Sequence, residues 1–238
     1  MHIAALACTW LLLARPAHAA DFSVTPIRAE LKPGNMSETV TITNDANARL
    51  RVGVKLVEWT QDANGQDTFK DSGDLIYFPR QLDIEPGARR LVRIGAKDPG
   101  KGVERAYRLY IEEQPDPNAT AGATVSFFFR FALPVFVPPP GAKPGLEPGP
   151  LDLSKGKLSI PVRNSGTQHL RISKLVVSNG AGWQTEVAGW YTLPGATRTY
   201  TAEVPVDVCR TSRMLQVRAE GESAAFERQL EVDPARCS

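Results

Sequence analysis

The residues able to do chemistry are few, and their spacing argues against catalysis. The three histidines are His2, His18 and His169. The first two flank an apolar run at residues 4–13 that leads to Ala17-His18-Ala19, the A-x-A pattern of signal-peptide cleavage. Cleavage after Ala19 or Ala20 leaves a chain starting near Asp21, with His169 as its one histidine. Set among Gln168, Leu170 and Arg171 at a strand start, His169 reads as a surface or packing residue rather than a base. A Cys/His metal site would need more ligands than remain. Glu112 and Glu113 are adjacent, so on a strand they point to opposite faces and make no carboxylate pair. There is no glycine-rich phosphate loop and no G-x-S-x-G elbow. Asn35-Met36-Ser37 and Asn118-Ala119-Thr120 match a glycosylation sequon, a pattern that chance produces often. The expectation is a protein with no catalytic residue, no metal and no cofactor.

The cysteines point to structure instead. Cys8 leaves with the signal peptide, and Cys209 and Cys237 remain as an even pair in an exported chain, which predicts a disulfide. They lack C-x-x-C redox spacing. The full chain of 238 residues carries a formal charge of +2, about +1 once Arg15 is removed, which gives no footprint for nucleic acid. No stretch after the signal is long and apolar enough to cross a bilayer. Export without membrane insertion is therefore expected.

The elements that must position any binding residue are strands. Apolar periodicity is close to two nearly throughout, and no long 3.6-residue pattern occurs, so the chain reads as all-β. Strands are predicted over 22–32 (broken at Pro26), 38–44, 51–59, 75–78, 81–84, 89–94 and 106–113. A run of prolines and glycines at 138–150 is expected to hold neither helix nor sheet and to mark the domain boundary. Further strands are predicted over 158–163, 170–177, 183–187, 190–193, 197–204, 214–219 and 225–232. About seven short strands per half suggests two immunoglobulin-like β-sandwich domains in tandem, at 21–140 and 151–238, joined by a linker at 141–150; the spacing alone does not separate a sandwich from a barrel.

One stretch does not behave like an ordinary strand. Residues 125–137 place Phe127, Phe129, Phe131, Leu133 and Val135 on one alternation and Phe128, Ala132 and Phe136 on the other. Strands apolar on both faces are normally buried on both. Pro134, however, cannot donate to a ladder and belongs at an edge or a bulge. An apolar edge strand left bare invites aggregation, so a partner chain is expected to cover it. The plain alternative is a core strand bulged at Pro134.

Several pieces follow one another in order along the chain: Ile27-Arg28-Ala29, Val57-Glu58-Trp59-Thr60-Gln61 and Phe78-Pro79-Arg80-Gln81-Leu82-Asp83-Ile84-Glu85-Pro86-Gly87. They continue through Tyr107-Arg108-Leu109-Tyr110-Ile111-Glu112-Glu113, Leu133-Pro134-Val135-Phe136-Val137-Pro138, Val162-Arg163-Asn164-Ser165-Gly166 and Leu193-Pro194-Gly195. Taken together, these pieces resemble the periplasmic pilus-assembly chaperones of chaperone–usher systems, with some features closer to the archaic branch. The resemblance implies a boomerang of two immunoglobulin-like domains that binds pilus subunits by donor-strand complementation and passes them to an outer-membrane usher. It implies donor residues Val125, Phe127, Phe128, Phe129, Phe131 and Leu133. It also implies that Arg28 anchors the subunit's C-terminal carboxylate, an arginine fork being able to grip a carboxylate bidentately. The position of the family's second cation, a lysine, is Leu133 here; either Arg130, the one cation of that strand, replaces it or Arg28 holds the carboxylate alone. Self-association of the free protein over the bare strand is expected as well. An exported immunoglobulin-like binding module without chaperone activity is the competing reading.

Overall fold

The computed structural model describes residues 22–115, 128–222 and 225–237. The first domain holds β1 (Phe22–Thr25), β2 (Ala29–Glu30), β3 (Ser37–Asn44), β4 (Leu50–Gln61), β5 (Asp67–Asp71), β6 (Leu75–Phe78), β7 (Gln81–Ile84), β8 (Arg89–Ala96), β9 (Arg105–Glu113) and β10 (Arg130–Val137). They form two sheets, β1-β3-β8-β6 and β2-β10-β9-β4-β5, with β7 added to β4. Alternation drives the packing. Val40 and Ile42 of β3, Val52, Val54 and Leu56 of β4, and Tyr107, Leu109 and Ile111 of β9 all enter one core, while their neighbours in sequence face outward or line the domain junction. Each such aliphatic side chain contributes roughly 1.5–3 kcal/mol by leaving water.

The second domain holds β11 (Leu146–Pro148), β12 (Asp152–Ser154), β13 (Lys157–Asn164), β14 (Leu170–Ser178), β15 (Gln184–Ala188), β16 (Tyr191–Thr192) and β17 (Thr197–Glu203). A short helix α1 (Val206–Thr211), β18 (Met214–Gly221), β19 (Phe226–Glu231) and a 3₁₀ turn at Pro234–Arg236 complete it. Its sheets are β11-β13-β12 with β17 on β13, and β15-β14-β18-β19 with β16 on β14. Cys209 on α1 and Cys237 after the 3₁₀ turn form the expected disulfide, and both are buried in the core. The two-sandwich fold of the sequence reading is thus the fold observed. Each sandwich also uses the same corner device. Asn44 and Asn164, each the last residue of its strand and fully buried, donate to two backbone carbonyls at 2.8 Å: Ala48 and Ile84, and Gln168 and Thr192.

Two sequence expectations need correction. The 138–150 run does hold sheet, because Leu146–Pro148 pairs with Val162–Asn164 as β11. A three-residue strand at a sheet edge tolerates Pro148, since only one side of it must bond. The apolar stretch is also not two-sided along its described length. Arg130 and Ala132 are exposed, and the outer face of β10 is covered only at Pro134 and Phe136. The second domain provides that cover.

The domain junction explains the Trp-Thr-Gln piece. Trp59, Ala106 and Phe136 of the first domain pack on Tyr191 and Leu193 of the second. Gln61 reads the backbone of the second domain from both ends of its amide, donating to the Tyr191 carbonyl and accepting from the Leu193 N–H, each at 2.9 Å. His169 is a packing residue, as expected, but at this junction. Its ring stacks on Phe136 with centroids 3.7 Å apart, and its Nδ1 lies 2.8 Å from the buried Glu104 carboxylate. At Gly65 the chain turns with positive φ, and a Cβ there would meet the Thr197 carbonyl at 2.4 Å. Only glycine suits that close approach between the domains.

Candidate functional site

The site grows from the break at Pro26. Upstream of it the chain pairs in one sheet, as β1 on β3; downstream it crosses to the other sheet, as β2 parallel to β10. Because β2 is so short, it meets β10 only at Val135 and Phe136. On its other side β10 pairs with β9 from Arg130 to Val137 with no shift in register. There is therefore no bulge at Pro134, and residues 130–134 form an edge that no described strand covers.

The hydrogen-bond phase fixes which groups this edge presents. The Glu113 N–H donates to the Phe129 carbonyl at 2.9 Å, so odd-numbered residues bond toward β9. Even-numbered residues point the other way, as the Leu31 N–H donating to the Phe136 carbonyl at 2.8 Å confirms. The N–H and C=O of Arg130 and Ala132 thus face the open side. Pro134 falls on an edge-facing position, where its missing N–H breaks no bond to β9.

Side chains divide by the same parity. Phe131, Leu133, Val135 and Val137 share the core face; Leu133 is fully buried and Phe131 is partly buried against the core. Phe129 continues the row outward at 40% exposed, and Phe128 lies on the opposite alternation at 53%. The uncovered part of the row therefore starts beyond Leu133, which fills the domain's own core. Val125 and Phe127 lie outside the described residues.

At the upper end of the edge a cleft opens between the domains. Arg28, Arg108, Pro134, Arg171, Trp190 and Glu222 line it, together with Pro26, Ile27 and Tyr191. Arg28 is placed by the sheet switch, immediately before β2. It forms ion pairs with Glu30, at 3.3 Å, and with Glu222 of the second domain. Glu222 also meets Arg171, Nε to Oε1, at 3.3 Å. Bonding to Glu222 raises the Arg28 pKa, and Arg28 holds the Glu222 carboxyl below its usual range.

Arg108 stands opposite Pro134 on the outer face of β9. It is only 5% exposed, and it forms no hydrogen bond or ion pair among the described residues. Its guanidinium lies over the Trp59 ring, 3.9 Å from the centroid, with Trp190 at 5.3 Å. Burial lowers its pKa. Attraction from Asp67 acts the other way, so the burial of this cation is offset by a carboxylate as well as by the aromatic faces.

Arg130 is not brought to this cleft. It lies four residues from Pro134, about 13 Å of strand, and there it pairs with Glu112 and sits over Tyr110. Arg28 does line the cleft, and the neighbouring cations are Arg108 and Arg171, which sequence reasoning missed. The available signal was an arginine at an outer position of β9 that lies next to the fully buried Tyr107 and Leu109.

The fold has known counterparts. Residues 21–143 match the family described as "Pili and flagellar-assembly chaperone, PapD N-terminal domain". The chain belongs to this chaperone family. No curated protein sequence matches it. Among solved structures, a chain of the CsuC–CsuE chaperone–tip adhesion subunit pre-assembly complex, from the archaic chaperone–usher Csu pili of Acinetobacter baumannii, superposes on this chaperone with TM-score 0.65 at 20% identity, covering 89% of this chain and 98% of that one. The YadV chaperone gives TM-score 0.63 at 16% identity, covering 89% and 100%. A chain of the Salmonella enterica SafA pilin–SafB chaperone complex gives 0.59 at 16%, covering 90% and 98%. At such identities the likeness is one of fold: two β-sandwiches arranged as in pilus chaperones. Family and fold are those of non-enzymatic assembly chaperones.

Proposed function

We propose that this chaperone acts in the periplasm, holds a pilus subunit by lending it the open edge of β10, and passes the subunit to an outer-membrane usher. The observation that carries this reading is the continuity of the uncovered edge at 130–134 with the arginine cleft, which share Pro134. A strand added along the edge bonds to the outward N–H and C=O of Arg130 and Ala132. Phe129 and Phe131 fill the subunit's groove, and alternate side chains give the specificity. The added strand runs parallel to β10, as β2 does, and its C-terminal carboxylate then meets Arg28 and Arg108. Arg108 takes the part of the second cation, which neither Leu133 nor Arg130 can fill from where it lies.

Co-expression with its partner pilin tests the reading. Arg28→Ala and Phe129→Glu are each expected to abolish a soluble one-to-one complex. Normal complex yield from both variants would overturn it and would favour an immunoglobulin-like binding module. The free chaperone is expected to self-associate through exposed Phe128 and Phe129. Analytical ultracentrifugation showing only monomer at high concentration would refute that.

A further inference from the structure

The cleft already contains a carboxylate. Glu222 follows the end of β18, and its N–H donates to the Arg171 carbonyl at 3.3 Å, which ties it to the second domain. From there its side chain bridges two guanidiniums, Arg171 of its own domain and Arg28 of the other. That is the geometry in which a chain terminus would be gripped. The cleft is also short of negative charge. Arg28, Arg108 and Arg171 face Glu222, Glu30 and, on the Arg108 side, Asp67; Glu30 is shared with Lys32 at 2.9 Å and Asp67 with Arg198 at 3.2 Å. A further carboxylate is therefore accommodated, but Arg28 must be shared or released to receive it.

We infer that Glu222 is a resident stand-in for the subunit's C-terminal carboxylate. It occupies Arg28 in the free protein and is displaced from it when the subunit terminus arrives. This rests on the reading of the cleft as a carboxylate anchor. Displacement leaves Glu222 on Arg171, so no charge is stranded, while Arg28 passes to the ligand. The contact that breaks is an ion pair between the two domains, so subunit binding loosens one tie across the junction. A free carboxylate competes with Glu222 on equal terms; a neutral group does not. The stand-in thus selects for a true chain terminus over an internal segment of similar apolar pattern.

The test uses the full mature chain. The probe is a synthetic twelve-residue peptide of alternating valine and serine with two N-terminal lysines, made once with a free C-terminal carboxylate and once as the amide. Binding is read by the fluorescence of Trp190 at the cleft. The wild type should prefer the free acid. Glu222→Gln should bind the acid roughly three- to tenfold tighter, because the competing occupant of Arg28 is gone, and should bind the amide unchanged. Without any variant, the Glu222 side-chain carboxyl ¹³C signal of the wild type should shift on adding the acid and not the amide. Unchanged acid affinity in Glu222→Gln, or a static carboxyl signal, would overturn the stand-in while the wild type's acid preference kept the anchor reading intact. Equal loss of acid and amide binding would mark Glu222 as purely structural, and overturn it too. No acid preference in either protein would refute the anchor reading, and the stand-in with it.

Discussion

Replacing Arg108 with methionine should make the free chaperone more stable and its subunit complex weaker. Arg108 is buried to 5% exposure and forms no ion pair or hydrogen bond with a carboxylate among the described residues, although Asp67 attracts it from further off. Removing a guanidinium from water costs several kcal/mol after relaxation. Stacking on Trp59, with Trp190 further off, returns roughly 0.5–2 kcal/mol. Methionine keeps the length and apolar bulk of the stem, and its thioether suits an aromatic face. It also removes the repulsion from nearby Arg171, together with the larger attraction from Asp67, and burial outweighs both. A net gain of about 1–2 kcal/mol is expected, or a rise in melting temperature of about 2–8 °C for a chain of this size. Losing one partner of a buried charge pair in the complex costs about 2–5 kcal/mol, a weakening of roughly 30-fold or more. Differential scanning calorimetry of the free protein and titration with the partner pilin measure the two effects separately. A melting temperature lowered by several degrees would mean that the free protein already satisfies the charge. Undiminished affinity would remove Arg108 from the site.

Three further outcomes follow from the geometry. Ala132→Pro removes an N–H that faces the open edge and leaves the bonds to β9 intact, so the fold should survive and subunit capture should fail; circular dichroism and co-purification check this, and a retained complex would contradict the edge phase derived from Phe129 and Phe136. Reducing Cys209–Cys237, which closes a loop of 28 residues, should destabilise the second domain by about 3–4 kcal/mol in the chain-entropy model, seen as a lower urea midpoint for that domain in dithiothreitol. The Glu222 carboxyl titrates below its ordinary value of 4.5 because Arg28 favours its charged form, so its tie between the domains is complete above that value and fades as pH falls through the lowered one. An acid-induced change in Trp190 fluorescence below about pH 4.5 should therefore be present in the wild type and absent in Glu222→Gln.

The fold was legible because its signals are local. Alternation on β3 and β4 and the break at Pro26 each act within a few residues. Elements that the sequence did not announce depend on distant partners. β5 is mostly exposed and lacks alternation, and exists by pairing with Val57–Gln61 of β4. β11 exists because β13 offers it an edge. The site divides the same way. Arg28 was found through its surrounding motif, and the edge character of β10 through Pro134. Arg108, Arg171 and Glu222 lie far apart in sequence and converge only once two sandwiches have folded and docked, so no local pattern could join them.

The same distinction explains the mixed character of β10. Its sequence looks uniformly greasy because it does three jobs along its length. At Leu133, Val135 and Val137 it fills the first domain's core. At Phe136 its outer face meets Trp59, Tyr191 and His169, so it also builds the domain junction. Below Pro134 it has, among the described residues, a strand on one side only, and there the outer face of β10 carries Arg130 and Ala132. A strand buried throughout would have no use for a charge at that point, and a strand at risk of indiscriminate pairing would gain from one. Arg130, held on Glu112 and Tyr110 and away from the cleft, therefore makes better sense as a guard on an edge kept open for one partner than as an anchor.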